Sequence, residues 1–275
     1  MKLYLKTKDY AISQEEFHLV YNKDMDMLIT QPRPETLDKY YQSESYISHT
    51  DANSSLIEKL YQAVKKYSLG KKVKLINKYV KEKKTLLDFG AGTGDFLITA
   101  KKRNWSVAGV EPNSKARELA KTKGMNLSSK LDMLKNHKYK VITLWHVLEH
   151  LPNLEEQIEE LISRLGDEGI LVIAVPNFRS YDAKFYKEFW AGYDVPRHLW
   201  HFSKTAIEKL FSKHELKITK IKPMVFDAFY VAMLSEKYKT GKTNFLKAFC
   251  VGMWSNIKAL GSGEYSSLIY VLKKV

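Results

Sequence analysis

Hydrophobic and polar positions follow an extended pattern in the first 30 residues. The runs KLYLKTKDY and EFHLVYN, with MLIT after them, are typical of strands and predict a small β-hairpin or meander. The segment QPRPE, residues 31–35, ends this element because two prolines cannot be accommodated inside a sheet. A small β element therefore precedes the rest of the sequence.

Apolar positions then change to helical spacing. Leu56, Leu60, Val64 and Tyr67 share one helical face, which predicts a first helix, and KKVKLINKYVKE at 71–82 predicts a second. The tyrosine-rich segment LDKYYQSESYISHTD lies between the prolines and the first helix.

From Thr85 onward, short apolar runs alternate with amphipathic ones. The runs TLLDF, SVAGVEP, YKVITLW and GILVIAVP predict strands, and TLLDF suits a strand that is buried on both faces. Helical periodicity is found in GDFLITAKKRN, NSKARELAKTKG and NLEEQIEELISRLG, and SKTAIEKLFSKHE with LKITKIKPM adds one more helix and strand. Repeated β-α units with short links predict an α/β fold with an open, mostly parallel sheet.

The pattern changes again in residues 226–260, where aromatic residues and methionines recur at helical spacing before SSLIYVLKK alternates like a final strand. We interpret this region as a helical insertion between the last two strands. Such stripes usually indicate burial in a core or an interface, while a substrate lid and a surface helix resting on lipid stay open. The sequence then has three parts: an N-terminal hairpin and Tyr-rich lid (1–50), an α/β core with leading helices (51–225), and the insertion with the final strand (226–275).

The composition adds a basic excess, with 45 Lys+Arg against 31 Asp+Glu and a net charge of +14. The lysines occur in small scattered groups, which favours solvated faces over a nucleic-acid footprint and leaves an anionic substrate or membrane surface open. Cys250 is the only cysteine, so an internal disulfide and a multi-cysteine zinc site are excluded. No apolar run approaches the roughly 18 residues of a membrane span, and the N-terminal residues resemble no signal peptide, so a cytoplasmic protein is expected.

The stretch LLDFGAGTGDFL, residues 86–97, carries the strongest chemical signal. A strand that ends in glycines and then opens a helix lets a ligand approach the backbone at the carboxyl edge of a sheet. Tight turns that bind nothing also use glycine, so this stretch alone is weak evidence. Glu111 closes the next strand, where a carboxylate can accept hydrogen bonds from ribose hydroxyls.

Two acidic residues separate this stretch from the dinucleotide fingerprint. Asp95 occupies the place of its third glycine, and Asp88 is expected to direct a negative charge into the cleft. A pyrophosphate would be repelled there and a cationic ligand attracted. A phosphate-binding P-loop is excluded because no Gly-Lys-Ser/Thr follows. The sequence therefore predicts an adenosine ligand that carries positive charge.

Four motifs in order, LLDFGAGTGDFL, VAGVEPN, VITLWHVLEHLPN and GILVIAVPN, together resemble the class I S-adenosylmethionine-dependent methyltransferases over about residues 84–225. The resemblance implies a Rossmann-like sheet of seven strands in the order 3-2-1-4-5-7-6, with the last strand antiparallel. It also implies S-adenosylmethionine as the cofactor, with its methionine part over Gly90–Gly94 and its ribose held by Glu111.

The same resemblance supplies the candidate cofactor residues. Asp88 is expected near the amino group of the methionine part, and Tyr46 belongs to the tyrosine segment that folds over the cofactor in related enzymes. Packing of that segment on the sheet edge is the alternative for Tyr46. The full set is Asp88, Gly90, Ala91, Gly92, Gly94, Glu111, Pro112, Trp145, His146 and Tyr46.

Four histidines are the candidate catalytic residues, because imidazole can take a proton near neutral pH. His146 and His150 belong to LWHVLEHLPN, at the family position that faces cofactor and substrate. His198 and His201 belong to AGYDVPRHLWHFS, which resembles a loop of a bacterial subgroup with the pattern Pro-Arg-His-x-aromatic-His-Phe. A structural role is equally open for His150, and for the loop through packing and an Arg197 salt bridge.

A metal site is not predicted. His198 and His201 are three residues apart, which indicates a metal only weakly when no cysteine and no nearby carboxylate pair accompany them.

The expected function is transfer of a methyl group from S-adenosylmethionine to a small-molecule or lipid-like acceptor, at oxygen. The protein is expected to be a monomer or homodimer, with peripheral membrane contact left open. Nucleic acid is disfavoured as a partner because no RNA-binding appendage is recognisable. The alternatives are an RNA or protein methyltransferase and an NAD-dependent oxidoreductase on a similar fold.

Overall fold

The computed structural model describes residues 1–41, 56–134 and 137–275. It divides into two compact units. The meander unit consists of Met1–Ser43, Leu148–Pro152 and Ala174–Tyr270, and the glycine-turn unit consists of Glu44–Val147, Asn153–Ile173 and Val271–Val275. These boundaries cut across the three ranges expected from the sequence, because the chain passes repeatedly from one unit to the other.

Strands and helices follow the predicted alternation. In chain order the strands are β1 Lys2–Lys8, β2 Glu16–Asn22, β3 Met27–Gln31, β4 Thr85–Phe89, β5 Ser106–Val110, β6 Tyr139–Trp145, β7 Leu165–Pro176, β8 Trp200–His201, β9 Leu216–Pro223 and β10 Ser267–Lys274. The α-helices are α1 Leu56–Asn77, α2 Asp95–Lys101, α3 Ser114–Thr122, α4 Leu154–Ser163, α5 Tyr181–Tyr186, α6 Lys204–Ser212, α7 Asp227–Thr240 and α8 Phe245–Ser262.

The N-terminal meander is confirmed. Strands β1, β2 and β3 pair antiparallel in that order, and Phe17 and Leu19 on β2 are buried at alternate positions. β3 ends at Gln31, before the two prolines. A fourth strand, β8, pairs with β3 and places His201 opposite Leu28. The sequence did not predict β8, because a two-residue strand has no readable period.

The second sheet has the strand order β5-β4-β6-β7-β10-β9. β4 runs parallel to both β5 and β6, and its Leu86 and Leu87 have no exposed surface. This matches the α/β, Rossmann-like sheet expected from the sequence, with the last strand in the chain inserted between two earlier ones.

The third strand of the expected seven is reduced to a single bridge within the described residues. Ser128 forms this bridge with Val110 of β5, and its N–H donates to the carbonyl of Gly109 at 2.9 Å. The segment NLSSKLDML that follows Gly124 mixes polar with apolar positions and continues no further as a strand. Its backbone therefore extends the sheet edge at only one residue.

One long helix replaces the two helices predicted before the core. α1 continues through Gly70, where an added Cβ would meet no atom within 4 Å. A glycine inside a helix costs only about 0.5–1 kcal/mol relative to alanine, so the helix need not break there. Its last residue is anchored, because Nε1 of Trp105 donates to Oδ1 of Asn77 at 2.9 Å.

The predicted helical insertion between the last two strands is confirmed as α7 and α8. Their contact is close, since Phe229 stacks on Phe249 at 5.4 Å between ring centroids and Gly252 lies against the backbone of Ala228. Among the described residues, every helix is too short or too polar to span a bilayer.

Burial in α8 differs from the expectation for its large side chains. The residues that α8 buries are small or of medium size, namely Ala248, Val251, Gly252, Ser255 and Ala259. Its larger apolar residues are exposed: Phe245, Leu246, Phe249, Met253, Trp254, Ile257 and Leu260. These larger side chains of α8 therefore lie outside the core, and an interface, a substrate lid and contact with lipid all stay predictions for them.

Candidate active site

The glycine turn joins β4 to α2. Gly90, Gly92 and Gly94 have φ values of 75°, 53° and 76°, a region that side chains with a Cβ adopt only with strain. At Gly90 an added Cβ would lie 2.4 Å from Cγ2 of Val147, whereas at Gly92 it would meet nothing within 4 Å. The turn is therefore packed at its start and leaves open space over Gly92.

Glu111 lies against this turn. Its Oε2 accepts a hydrogen bond from the Gly92 N–H at 2.8 Å, and its Oε1 accepts one from the Asn113 N–H at 2.9 Å. The N–H groups of Gly90 and Ala91 both donate to the carbonyl of Val110, at 2.8 and 2.9 Å. The predicted proximity of Glu111 to the glycines is thus present in the structure, and Pro112 follows it on the exposed side.

Asp88 differs from the expectation that it faces an open cleft. Its side chain is 2% exposed, and Oδ1 accepts a hydrogen bond from Oγ1 of Thr143 at 2.5 Å. Burial raises the pKa of Asp88 to about 7, with a smaller upward effect of Glu111, while Thr143 and Lys72 act in the opposite direction. Asp88 belongs to β4, which lies between β5 and β6, and its carboxyl group is tied to β6 through Thr143.

Asp95 is paired with two lysines. It contacts Nζ of Lys65 at 2.7 Å and Nζ of Lys123 at 3.1 Å. Burial alone would raise the pKa of Asp95, but the two lysines outweigh it and hold that pKa below its usual value. The repulsion of a pyrophosphate that the sequence suggested is therefore reduced, although a side chain still replaces the third glycine.

Trp145 is the last residue of β6, and His146 follows it within the glycine-turn unit. The indole of Trp145 contacts Phe96 edge to face at 5.3 Å, and Nζ of Lys72 lies 4.2 Å from its ring centroid. Its buried Nε1 has no hydrogen-bond partner among the described residues. His146 has a φ of 57°, an uncommon backbone conformation for a residue other than glycine. Both side chains are half-buried.

A second group of candidates lies within the meander unit. The turn Leu148–His150 brings Glu149 and His150 next to His198, whose ring centroid is 4.5 Å from that of His150. Nε2 of His198 is 4.0 Å from Oε1 of Glu149. We call Glu149, His150 and His198 the histidine cluster.

Arg197 has the structural role that was one of two interpretations. The side chain is 1% exposed and donates to Asp9 at 2.9 Å, to Asp194 at 2.6 Å and to the carbonyl of Tyr40 at 3.1 Å. A guanidinium engaged in this way pins the loop and leaves little capacity for an anionic substrate group.

His201, a predicted catalytic residue, is buried and bonded within the protein. It is 4% exposed, and its Nε2 lies 3.0 Å from Oγ1 of Thr30, which donates its own proton to the carbonyl of His198. Burial, followed by the neighbouring His198, lowers the pKa of His201 well below the usual value, so it stays neutral. The register of β8 directs this side chain into the protein.

Tyr46 lies outside the described residues, so its cofactor role stays a prediction. Tyr41, from the same tyrosine segment, has its hydroxyl 3.1 Å from Nδ1 of His150. The structure places three further residues next to the candidates, and the sequence analysis proposed none of them for the site: Lys72, Thr143 and Glu149. Only Glu149 could have been found from the sequence, because it precedes His150.

A family model identifies the class of protein to which this chain belongs. A family model described as a methyltransferase domain matches residues 61–221, more than half of the chain. A comparison with curated proteins gives no match.

Three solved structures have a similar fold and are distant from this chain in sequence. Magnesium protoporphyrin IX methyltransferase from Synechocystis PCC 6803, with bound S-adenosylhomocysteine, is 15% identical, with a TM-score of 0.56 over 88% of this chain and 100% of that chain. Geranyl diphosphate C-methyltransferase from Streptomyces coelicolor is 13% identical, with a TM-score of 0.54 over 83% and 87%. A possible histamine N-methyltransferase from Thermotoga maritima is 16% identical, with a TM-score of 0.53 over 79% and 94%.

Proposed function

The chain belongs to the methyltransferase domain family, and from that premise we propose that it transfers a methyl group from S-adenosylmethionine to a small-molecule or lipid-like acceptor, at an oxygen atom. The four motifs that resemble class I enzymes lie within or next to the range of the family match. Similar folds that are named for S-adenosylhomocysteine or S-adenosylmethionine complexes support the choice of methyl donor.

The construction of the glycine turn carries this proposal. Open space lies over Gly92, and the Glu111 carboxylate is hydrogen-bonded to the N–H of that same residue. The indole N–H of Trp145, buried without a partner among the described residues, is a further polar group that a ligand can satisfy. These groups fit an adenosine-containing ligand: Gly90–Gly94 would hold its amino-acid part, and Glu111 would accept bonds from its ribose hydroxyls.

The chain's own residues have a limited chemical task. S-adenosylmethionine supplies, when bound, a methyl group on a sulfonium that is already a good leaving group. Holding the acceptor in line with that methyl group then provides much of the rate acceleration. The bonds from Gly90 and Ala91 to the carbonyl of Val110 fasten the turn to the end of β5.

An oxygen acceptor must also lose a proton, and the proposed bases are His146, His150, His198 and His201. The burial of His201 and its bond to Thr30 make it a weaker candidate than the half-buried His146. Within the cluster, His150 acts poorly as a base by itself, since enclosure in the protein and then His198 lower its pKa to about 4.

The acceptor that we propose is a small molecule, and within that class a lipid-like one. Two of the similar folds are named for magnesium protoporphyrin IX and geranyl diphosphate, which are small molecules with large apolar parts. Self-association and peripheral membrane contact remain predictions, and both depend on the exposed apolar face of α8.

Two other functions were open from the sequence. Membership of a methyltransferase family argues against a nicotinamide-dependent oxidoreductase. An RNA or protein acceptor stays the alternative, and the net charge of +14 favours RNA between the two.

Identification of the methylated product tests the proposed function. Purified protein is incubated with S-adenosylmethionine carrying a labelled methyl group and with separated lipid, small-molecule, RNA and protein fractions of a bacterial extract. We expect label in the small-molecule or lipid fraction, on an oxygen atom of the product. Mild base releases the label if the product is a methyl ester and leaves it in place if the product is a methyl ether. Label found only in RNA or protein would show that the acceptor is a macromolecule and not a small molecule. Label on nitrogen or carbon would show that the acceptor atom is not oxygen.

A further inference from the structure

We propose that Glu149, His150 and His198 bind a divalent transition-metal ion. The three side chains offer one carboxylate oxygen and two imidazole nitrogens, and these potential ligand atoms all lie within 4.8 Å of one another. Two imidazoles in the set favour an ion such as Zn²⁺, Co²⁺, Fe²⁺ or Mn²⁺ over Mg²⁺ or Ca²⁺. Metal bonds of about 2.0–2.2 Å hold neighbouring ligand atoms closer than this, so small side-chain shifts complete the site.

The hydrogen bonds behind the imidazoles point to a metal. Nδ1 of His150 lies 3.0 Å from the carbonyl oxygen of Arg197, and Nδ1 of His198 lies 3.0 Å from the carbonyl oxygen of Gly192. A carbonyl oxygen can only accept, so an Nδ1 that donates to its carbonyl leaves Nε2 free to bind a metal; Nδ1 of His150 also lies 3.1 Å from the Tyr41 hydroxyl. Histidines that bind metals through one nitrogen almost always donate a hydrogen bond from the other.

The charge balance of the cluster agrees with this. Glu149 is 1% exposed and His198 is 8% exposed, so the carboxylate lies in an environment that stabilises a bound cation strongly.

The cluster is held by a rigid frame within the meander unit. The Leu199 N–H donates to the carbonyl of Glu149 at 2.8 Å, and Nε1 of Trp200 donates to the carbonyl of Leu151 at 2.8 Å. Arg197, the residue before His198, donates hydrogen bonds to Asp9 and Asp194 that hold this segment in place. Two segments that are distant in the sequence are thereby locked together with their ligand atoms facing each other.

Three protein ligands leave coordination positions for water or substrate, as in catalytic rather than structural metal sites.

Metal binding is measured on the full chain without an affinity tag, after treatment with a chelator. Co²⁺ is titrated and followed by its visible absorption and by calorimetry, in the absence of any methyl donor. We expect one Co²⁺ per chain. Glu149→Gln and His198→Gln should each weaken binding at least about 10-fold, because each removes a ligand. The matched control is His18→Gln, which removes an exposed histidine of β2 and should leave the affinity unchanged.

A thermal melt of every variant keeps the test decisive. Co²⁺ should raise the melting temperature of the wild-type chain and of His18→Gln, but not that of Glu149→Gln, which keeps nearly the same shape. No Co²⁺ binding by the wild-type chain, or equal binding by the cluster variants, would overturn the metal site. Calorimetry with S-adenosylhomocysteine on the same samples reports the cofactor site separately, so failure of one assignment is distinguishable from failure of the other.

Discussion

Glu111 is the residue whose role can be tested most simply. Its carboxylate accepts bonds from Gly92 and Asn113, so it both shapes the glycine turn and is placed for ribose hydroxyls. We expect Glu111→Ala to weaken binding of S-adenosylhomocysteine by about 1–3 kcal/mol through the loss of charge-assisted hydrogen bonds. Calorimetry measures this, with Glu118→Ala, an exposed acid on α3, as the control. Equal affinities for the two variants would remove Glu111 from the site.

Asp88 should make stability depend on pH in a defined direction. Its pKa is raised to about 7 in the folded chain, mainly by burial, so the folded state holds a proton that the unfolded state loses near pH 4. The stability this contributes is fully present below pH 4 and is lost as the pH rises through 7. We expect Asp88→Asn to gain stability relative to the wild type between pH 5 and pH 8.

Denaturant unfolding of the two proteins at several pH values measures that difference. Asp132→Asn is the control, because Asp132 is exposed and should show no such trend. A constant difference between Asp88→Asn and the wild type across this range would contradict the raised pKa.

At the scale of single residues, the sequence predicted positions better than environments. It placed Glu111 beside the glycines, which the structure shows. It could not show that Asp88 is buried or that Asp95 is paired with Lys65 and Lys123, because those facts depend on residues from other elements. Charge alone therefore misled the electrostatic interpretation.

Two glycines in helices should respond oppositely to the same substitution. At Gly252 of α8 an added Cβ would lie 2.9 Å from Cδ1 of Phe229 and 3.1 Å from the backbone of Ala228, so Gly252→Ala should destabilise by about 1–3 kcal/mol. At Gly70 of α1 nothing lies within 4 Å, so Gly70→Ala should stabilise by about 0.5–1 kcal/mol. Thermal melts of the two variants check both signs. A stabilised Gly252→Ala would show that α7 and α8 are not closely packed.

Elements were predictable wherever a period extended over several turns or a full strand. The meander, the α/β alternation and the helical insertion follow from such periods. The break expected near Gly70 was wrong because a helix with space around a glycine simply continues. The third strand and β8 are each only one or two residues long, so no period could show their extent.

On the scale of the whole molecule, the basic excess is expected to reflect solvated lysines rather than an RNA footprint. We expect fluorescence anisotropy with a labelled single-stranded RNA to show weak binding that disappears between 50 and 200 mM salt. The reason is that scattered lysines provide only nonspecific contacts with phosphates. Saturable binding that persists at the higher salt concentration would instead favour the RNA methyltransferase alternative.

The histidine cluster shows why a site can escape sequence analysis. The sequence offered no cysteine and no pair of carboxylates near His198 and His201, which is why a metal was not predicted, although Asp194 lies four residues before His198. The fold brings Oε1 of Glu149 to 4.0 Å from Nε2 of His198. The hydrogen bond from the Leu199 N–H to the carbonyl of Glu149 holds the two segments together. Long-range pairing of two loops cannot be read from spacing along the chain.

Binding of the methyl donor's product tests the central claim most directly. The purified chain is titrated with S-adenosylhomocysteine and, in parallel, with NAD, by calorimetry under the same conditions. We predict saturable binding of one S-adenosylhomocysteine per chain and no measurable binding of NAD. A chain that binds only NAD, or that binds neither ligand, would contradict the assignment of the glycine turn and Glu111 to a sulfonium nucleoside.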